Sequence, residues 1–186
     1  MKRFFDGALA VLLLLLFALP MALIALWVRA SSAGPAIYWS QRVGRGNGLF
    51  PMPKFRSMRT DTPAVATHLL GDPASYLTSA GRFLRQTSLD ELPQLWSVLR
   101  GDMSFVGPRP ALFNQHDLVA MRTEAGVHLL RPGITGWAQI NGRDELDSAE
   151  KTRFDAEYLA RQSFFFDLKI LWLTVWRVLA RHGISH

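Results

Sequence analysis

The sequence predicts a helix-rich domain with few strands, led by one apolar helix that enters a membrane, and three observations carry that expectation. An uncharged run extends from Gly7 to Val28. Apolar residues recur at helical spacing in Leu92, Leu95, Trp96, Val98 and Leu99. Only AIYWSQRVG, from Ala36, reads as a short strand or extended piece, and it ends in glycine-rich turns.

The first element is the apolar run. Its 22 residues would reach roughly 33 Å as a straight helix, enough to cross a hydrocarbon core of about 30 Å. A secretory signal is disfavoured by Asp6 beside Lys2 and Arg3, by the length of the run, and by the lack of an A-x-A site after it. Two readings stay open: a spanning helix, and a re-entrant helix that returns to the side it entered. Pro20 supports the second, because it removes a backbone donor and divides the run into arms of 13 and 8 residues, neither long enough to span. Basic residues flank both ends, Lys2 and Arg3 before, Arg29, Arg42 and Arg45 after, which favours cytoplasmic placement of both.

With 186 residues, the chain suits one domain plus an appendage, divided here into a membrane helix over 1–30 and a body over 31–186. Hydrophobic residues make up 49% and charged residues 19%, which excludes disorder along the whole length. The absence of Cys excludes disulfides, thiolate zinc sites and cysteine nucleophiles. The net charge of +6 attracts phosphates, whether on nucleic acid, lipid headgroups or nucleotide substrates.

The body opens on the turn-rich Ser31–Pro35. After the extended piece, PKFRSMR brings Lys54, Arg56 and Arg59 within six residues, either a solvated surface or a phosphate site. Residues 61–79 read as a polar loop. Residues 82–110, RFLRQTSLDELPQLWSVLRGDMSFVGPRP, are the most informative. The apolar face predicts a helix that Gly101 stops, with Pro93 in its first turn and Asp90 as N-cap, or with Ser88 and Glu91 as a capping box.

Capping is the ordinary explanation for acidic residues at a helix start. The same place also sets two adjacent carboxylates among Arg82, Arg85 and Arg109, the last in a rigid GPRP turn. Carboxylates among guanidinium groups suit phosphoryl chemistry, in which a carboxylate ligates Mg²⁺ or attacks phosphorus. A second glycine- and proline-dense block, RPGITGWAQINGRD (131–144), has little helical or strand character and carries Arg131, Trp137 and Asn141. Residues 149–161 read as a helix. The final SFFFDLKILWLTVWRVLARHG, with Lys169, Arg177 and Arg181, is either a buried core helix or an interfacial amphipathic helix on anionic lipid.

These motifs resemble the monotopic phosphoglycosyl transferases, the bacterial sugar transferases that initiate surface glycoconjugate synthesis. The resemblance runs from KRFFD at Lys2 to the C-terminal HGIS. It is carried by KFRSM at Lys54, SLDELPQL at Ser88, GDMSFVGPRP at Gly101 and RPGITGWAQINGR at Arg131, and more weakly by FDAEY at Phe154. It implies a helix-rich α/β fold, with a re-entrant helix broken at Pro20 and interfacial helices on the cytoplasmic face of the bacterial inner membrane. It implies transfer of a sugar phosphate from a UDP-sugar to polyprenyl phosphate, with release of UMP and with Mg²⁺ present.

Under the resemblance Asp90 is the nucleophile and a Mg²⁺ contact, and Glu91 its acid/base or orienting partner. Arg85 and Arg109 hold phosphate, with Lys54, Arg131 and Asp155 as further binding residues. Membrane lipids are partners, a homo-oligomer is compatible, and nucleic acid is disfavoured by the membrane segment. One departure is Leu19, where family members often carry Ser before the proline; Leu offers no hydroxyl to the backbone group freed at the break. A non-catalytic, membrane-anchored scaffold is the alternative, and it has no need for adjacent carboxylates inside a ring of cations.

Overall fold

A computed structural model describes residues 1–63, 65, 70–142 and 146–179. Arg181 and the HGIS stretch, the Arg143–Asp144 end of the second glycine block and part of the 61–79 loop lie outside them.

Helix α1 (Lys2–Ser31) is helical on both sides of Pro20. The expected break does not interrupt it, because a proline removes only its own N–H and a helix can continue past it. The helix is long and apolar enough to cross a membrane. It nevertheless lies along the body and is held at both ends. At its start Lys2 Nζ meets Asp167 at 2.5 Å and donates to the Val106 carbonyl, while Arg3 donates to the Val98 and Leu99 carbonyls. Asp6 is buried and accepts from Ser104 Oγ at 2.9 Å and from the Phe105 N–H, which removes the cost of an unpaired carboxylate. At its end Val28 is fully buried, and Arg56 donates to the Ser32 and Ala33 carbonyls.

Two strands follow, β1 (Ile37–Val43) and β2 (Leu49–Phe55), paired antiparallel with Arg42 opposite Phe50 and Tyr38 opposite Lys54. Positive φ angles at Gly46 and Asn47 turn the chain between them. Strand β2 escapes a sequence reading because it contains Pro51 and Pro53. Those prolines alternate, so the N–H groups lost are ones an antiparallel ladder directs away from the partner strand.

Helix α2 (Ser79–Gln86), absent from the sequence expectation, starts on Thr78, whose Oγ1 accepts the Gly81 N–H at 2.9 Å. Helix α3 (Gln94–Arg100) starts on Pro93 and stops at Gly101, in the left-handed region. The short strand β3 (Ser104–Val106) leads through the GPRP turn to α4 (His116–Glu124). Strand β4 (Gly133–Thr135) pairs parallel with β3, and α5 (Trp137–Ile140) follows it. The glycine block is therefore a strand and a short helix. Its glycines permit close backbone approach: a Cβ on Gly133 would lie 2.2 Å from the Gly107 nitrogen.

Helix α6 (Ser148–Arg161) begins in a complete capping box of Asp147 and Glu150, and α7 (Phe164–Leu179) closes the described chain. The main core joins α1, β2, α3, β3 and α7 through Ala10, Met52, Val98, Phe105 and Ile170. A second cluster of Val28, Phe55 and Leu84 lies where α1 ends. Each fully buried aliphatic side chain contributes about 1.5–3 kcal/mol, so β2, α2 and α3 form a firm support for what they carry. Helix α7 is buried at Phe166 and Ile170 yet exposes Phe165, Trp172, Val175 and Trp176, so it is core on one face and apolar surface on the other.

Candidate active site

Asp90 and Glu91 lie in the connection from α2 to α3. Leu89–Glu91 forms its own 3-10 turn, entered through Ser88 in the left-handed region at φ 56 and closed by Leu92 N–H to the Leu89 carbonyl. Neither expected cap forms. Asp90 does not cap α3, and Ser88 makes no side-chain cap, because the 3-10 turn separates both from the helix that begins at Pro93. A non-glycine residue at positive φ is uncommon, and here it sets the direction of the two carboxylates that follow it.

Glu91 accepts from two cations through one oxygen, Lys54 Nζ at 3.1 Å and Arg109 Nη2 at 2.8 Å. Burial alone would raise the Glu91 carboxyl, but Arg109 and Lys54 outweigh it and hold the group well below the carboxylate range. Asp90 is only 7% exposed. Its burial raises the carboxyl above its ordinary value, against the pull of Lys54, Arg85 and Arg109. Burial lowers Lys54, and Glu91 opposes that shift. Two neighbouring carboxylates are thus driven apart, one held ionised and the other made more basic, as a nucleophile or proton acceptor requires.

Of the residues proposed from sequence, Lys54, Arg85, Asp90, Glu91 and Arg109 come together. Arg85 anchors on Ser57 Oγ at 3.1 Å, from where its charge reaches Asp90. Arg131 is placed elsewhere, on the Gly101 carbonyl at 3.0 Å beyond the end of α3. Asp155 is buried against Arg122 and does not meet Glu91. The PKFRSMR cations separate too: Lys54 enters the site, Arg56 fastens the end of α1, and Arg59 pairs with exposed Asp61.

Two residues were missed by sequence reasoning. Arg122 lies in α4, where no motif marks it. Arg42 counted there only as a basic flank, although its alternation with Ser40 and Tyr38 sets it on the same sheet face as Lys54.

This arrangement sets two carboxylates, one buried and basic, inside a group of fixed cations, a combination chemically suited to phosphate. The bacterial sugar transferase model matches residues 1–181. The chain is 42% identical to the uncharacterized sugar transferase EpsL of Bacillus subtilis, over 100% of this chain and 90% of that one. It is 44% identical to the UDP-glucose:undecaprenyl-phosphate glucose-1-phosphate transferase of Escherichia coli, over 95% of this chain and 40% of the relative. It is 40% identical to the undecaprenyl-phosphate galactose phosphotransferase of Salmonella typhimurium, over 98% of this chain and 41% of the relative. The chain therefore belongs to the bacterial sugar transferase family, the phosphoglycosyl transferases its motifs resemble. It spans about two fifths of the length of the Escherichia coli and Salmonella relatives.

Proposed function

We propose that this chain transfers a sugar 1-phosphate from a UDP-sugar to polyprenyl phosphate and releases UMP, the initiating membrane step of a surface glycoconjugate. The names of its relatives support the donor and acceptor classes. The observation that carries the chemistry is Glu91, clamped between Lys54 and Arg109 one residue from a buried, basic Asp90.

In this mechanism an Asp90 oxygen attacks the β-phosphorus of the donor. An acyl-phosphate bond forms, the bond from phosphorus to the bridging oxygen breaks, and that oxygen departs on UMP. A phosphate oxygen of the acceptor then attacks the same phosphorus and releases the Asp90 carboxylate. Covalent catalysis of this kind divides one transfer into two easier steps. Glu91 keeps Lys54 and Arg109 in place, so that their charge is oriented before the donor arrives.

Among the described residues no group of three His, Cys, Asp or Glu side chains forms a metal cluster. A single carboxylate beside a phosphate site fits Mg²⁺, which keeps its waters and is held largely by substrate phosphates. Asp90 would hold it, and the ion would supply neutralising charge to the diphosphate.

The proposed location is the cytoplasmic face of the bacterial inner membrane, with α1 as a re-entrant helix. Anchorage of both ends of α1 on one body supports this, as does the exposed apolar surface of α1 and α7. Trp172 and Trp176 stack on that surface, in keeping with the enrichment of Trp at membrane interfaces.

The test is the reaction without acceptor. With Mg²⁺ and an accepted UDP-sugar, the enzyme should release a burst of UMP of at most one equivalent. A mass increment of one phosphosugar should map to Asp90, and Asp90→Asn should abolish both. An active enzyme that shows neither burst nor adduct transfers directly, with Asp90 reduced to a metal ligand.

A further inference from the structure

We propose that Arg42 binds the α-phosphate of the donor and holds the departing UMP, in a subsite on the Arg109 side of the two carboxylates. This inference rests on the transferase reading and assigns a residue that the motifs do not mark.

Arg42 leaves β1 on the same face as Ser40 and Lys54. Its Nε donates to Ser40 Oγ at 3.0 Å and its Nη1 to the Pro110 carbonyl at 3.2 Å, beside Arg109 in the GPRP turn. These two anchors fix the plane of the guanidinium and leave further N–H donors on it. No carboxylate lies within ion-pair distance of Arg42 among the described residues, whereas Lys54 and Arg109 both meet Glu91.

A half-buried guanidinium placed beside another guanidinium is unfavourable unless an anion joins them. Burial and the adjacent Arg109 lower Arg42 to about 10, with Glu91 opposing the shift. The site holds four cations, Lys54, Arg85, Arg109 and Arg42, against two carboxylates, Asp90 and Glu91, and a phosphate would complete the balance.

The order of charges gives this phosphate its identity. Arg42 stands four residues along β1 from Tyr38, the cross-strand partner of Lys54, and its guanidinium rests on the Pro110 carbonyl next to Arg109, whereas Lys54 and Arg109 both meet Glu91. Arg42 therefore lies at the GPRP end of the site, further along the sheet than Lys54. Attack at the β-phosphorus puts the sugar phosphate at Asp90 and the leaving group beyond it. When the bridging bond breaks, charge gathers on the α-phosphate oxygens, and a planar fork is suited to receive it.

The experiment measures UMP affinity of the full chain in detergent with Mg²⁺, by titration calorimetry, for wild type, Arg42→Gln, Arg42→Lys and Arg153→Gln. Arg153 is an exposed cation of α6 and serves as the control for net charge. Loss of a charged hydrogen bond predicts UMP binding weaker by about tenfold in Arg42→Gln. Arg42→Lys should bind about threefold more weakly, and Arg153→Gln as wild type does. UMP affinity within twofold of wild type in a folded Arg42→Gln protein overturns the subsite. If the glutamine chain does not fold, unchanged affinity in Arg42→Lys overturns it. A wild type that neither binds UMP nor releases it from any UDP-sugar would overturn the transferase reading itself, a result distinct from the loss of Arg42 alone.

Discussion

Arg122 donates from Nη1 to the backbone carbonyl of Arg109 at 2.8 Å, while its Nε and Nη2 meet one oxygen of Asp155 at 2.9 and 2.6 Å. Helices α4 and α6 are thereby tied to the turn that carries the Arg109 guanidinium. Asp155 is 1% exposed, so its carboxylate is committed to Arg122. FDAEY thus acts on the site at one remove, through the backbone of Arg109.

Asp155→Asn tests that linkage. The amide keeps the shape but leaves Arg122 buried without a counter-charge, a loss of about 3 kcal/mol for a pair this enclosed. The melting temperature should fall by several degrees. At a temperature where the variant is folded, kcat/KM should fall by about tenfold, because the Arg109 backbone is released. Normal activity in the folded variant would separate Asp155 from the GPRP turn.

Glu91 gives a pH signature in stability. Its carboxyl in the folded chain lies below the ordinary value of about 4.3, since Arg109 and Lys54 outweigh burial. A depressed carboxyl adds stability above the unfolded-state value and loses it as pH falls through the folded-state value. Glu91→Gln should therefore lower the melting temperature by a constant amount between pH 6 and 8. The gap should narrow as pH drops below about 4, where the unfolded carboxyl of wild type takes up its proton. A gap that stays constant down to pH 3 would show that the cations give Glu91 no such depression.

The sequence exposed much of this arrangement, and where it did not the reasons are physical. Asp90, Glu91 and Arg109 were legible because local motifs concentrate them within twenty residues. Lys54 joins them through the antiparallel pairing of β2, which no local pattern reveals. Asp90 as a cap was the natural expectation from Pro93. A 3-10 turn entered at positive φ overrode it, and Ser88 gives no warning of that conformation. The glycine block looked like a loop because Gly133 and Gly136 depress strand and helix propensity. Their value lies in contact with the Gly107 backbone, a tertiary property. Helix α2 was hidden by the short length of its apolar pattern.

Under the proposed reaction, the diphosphate of the donor calls for a metal ion as well as the side-chain cations. The site offers cations through Lys54, Arg85 and Arg109, but part of that charge is already balanced by Glu91. EDTA should abolish transfer, and Mg²⁺ should restore it. Full activity in chelator would remove the metal from the mechanism and leave neutralisation to the side chains.

The topology of α1 follows from its two anchors. As a straight helix its 30 residues would extend roughly 45 Å. Lys2 and Arg3 hold one end to α7 and α3, and Arg56 holds the other beside β2. A spanning arrangement must release one anchor and leave Asp6 without Ser104 and Phe105, stranding a carboxylate at the membrane. Both ends should therefore face the cytoplasm. Cysteines placed at exposed Phe4 and Arg45 should be labelled from that side by a membrane-impermeant reagent. Pro20→Ala restores a backbone donor and should shift part of the population toward spanning. Lys2→Met, which removes the ion pair with Asp167, should add to that shift. Periplasmic labelling of the Phe4→Cys chain without either change would establish a spanning helix and overturn the re-entrant one.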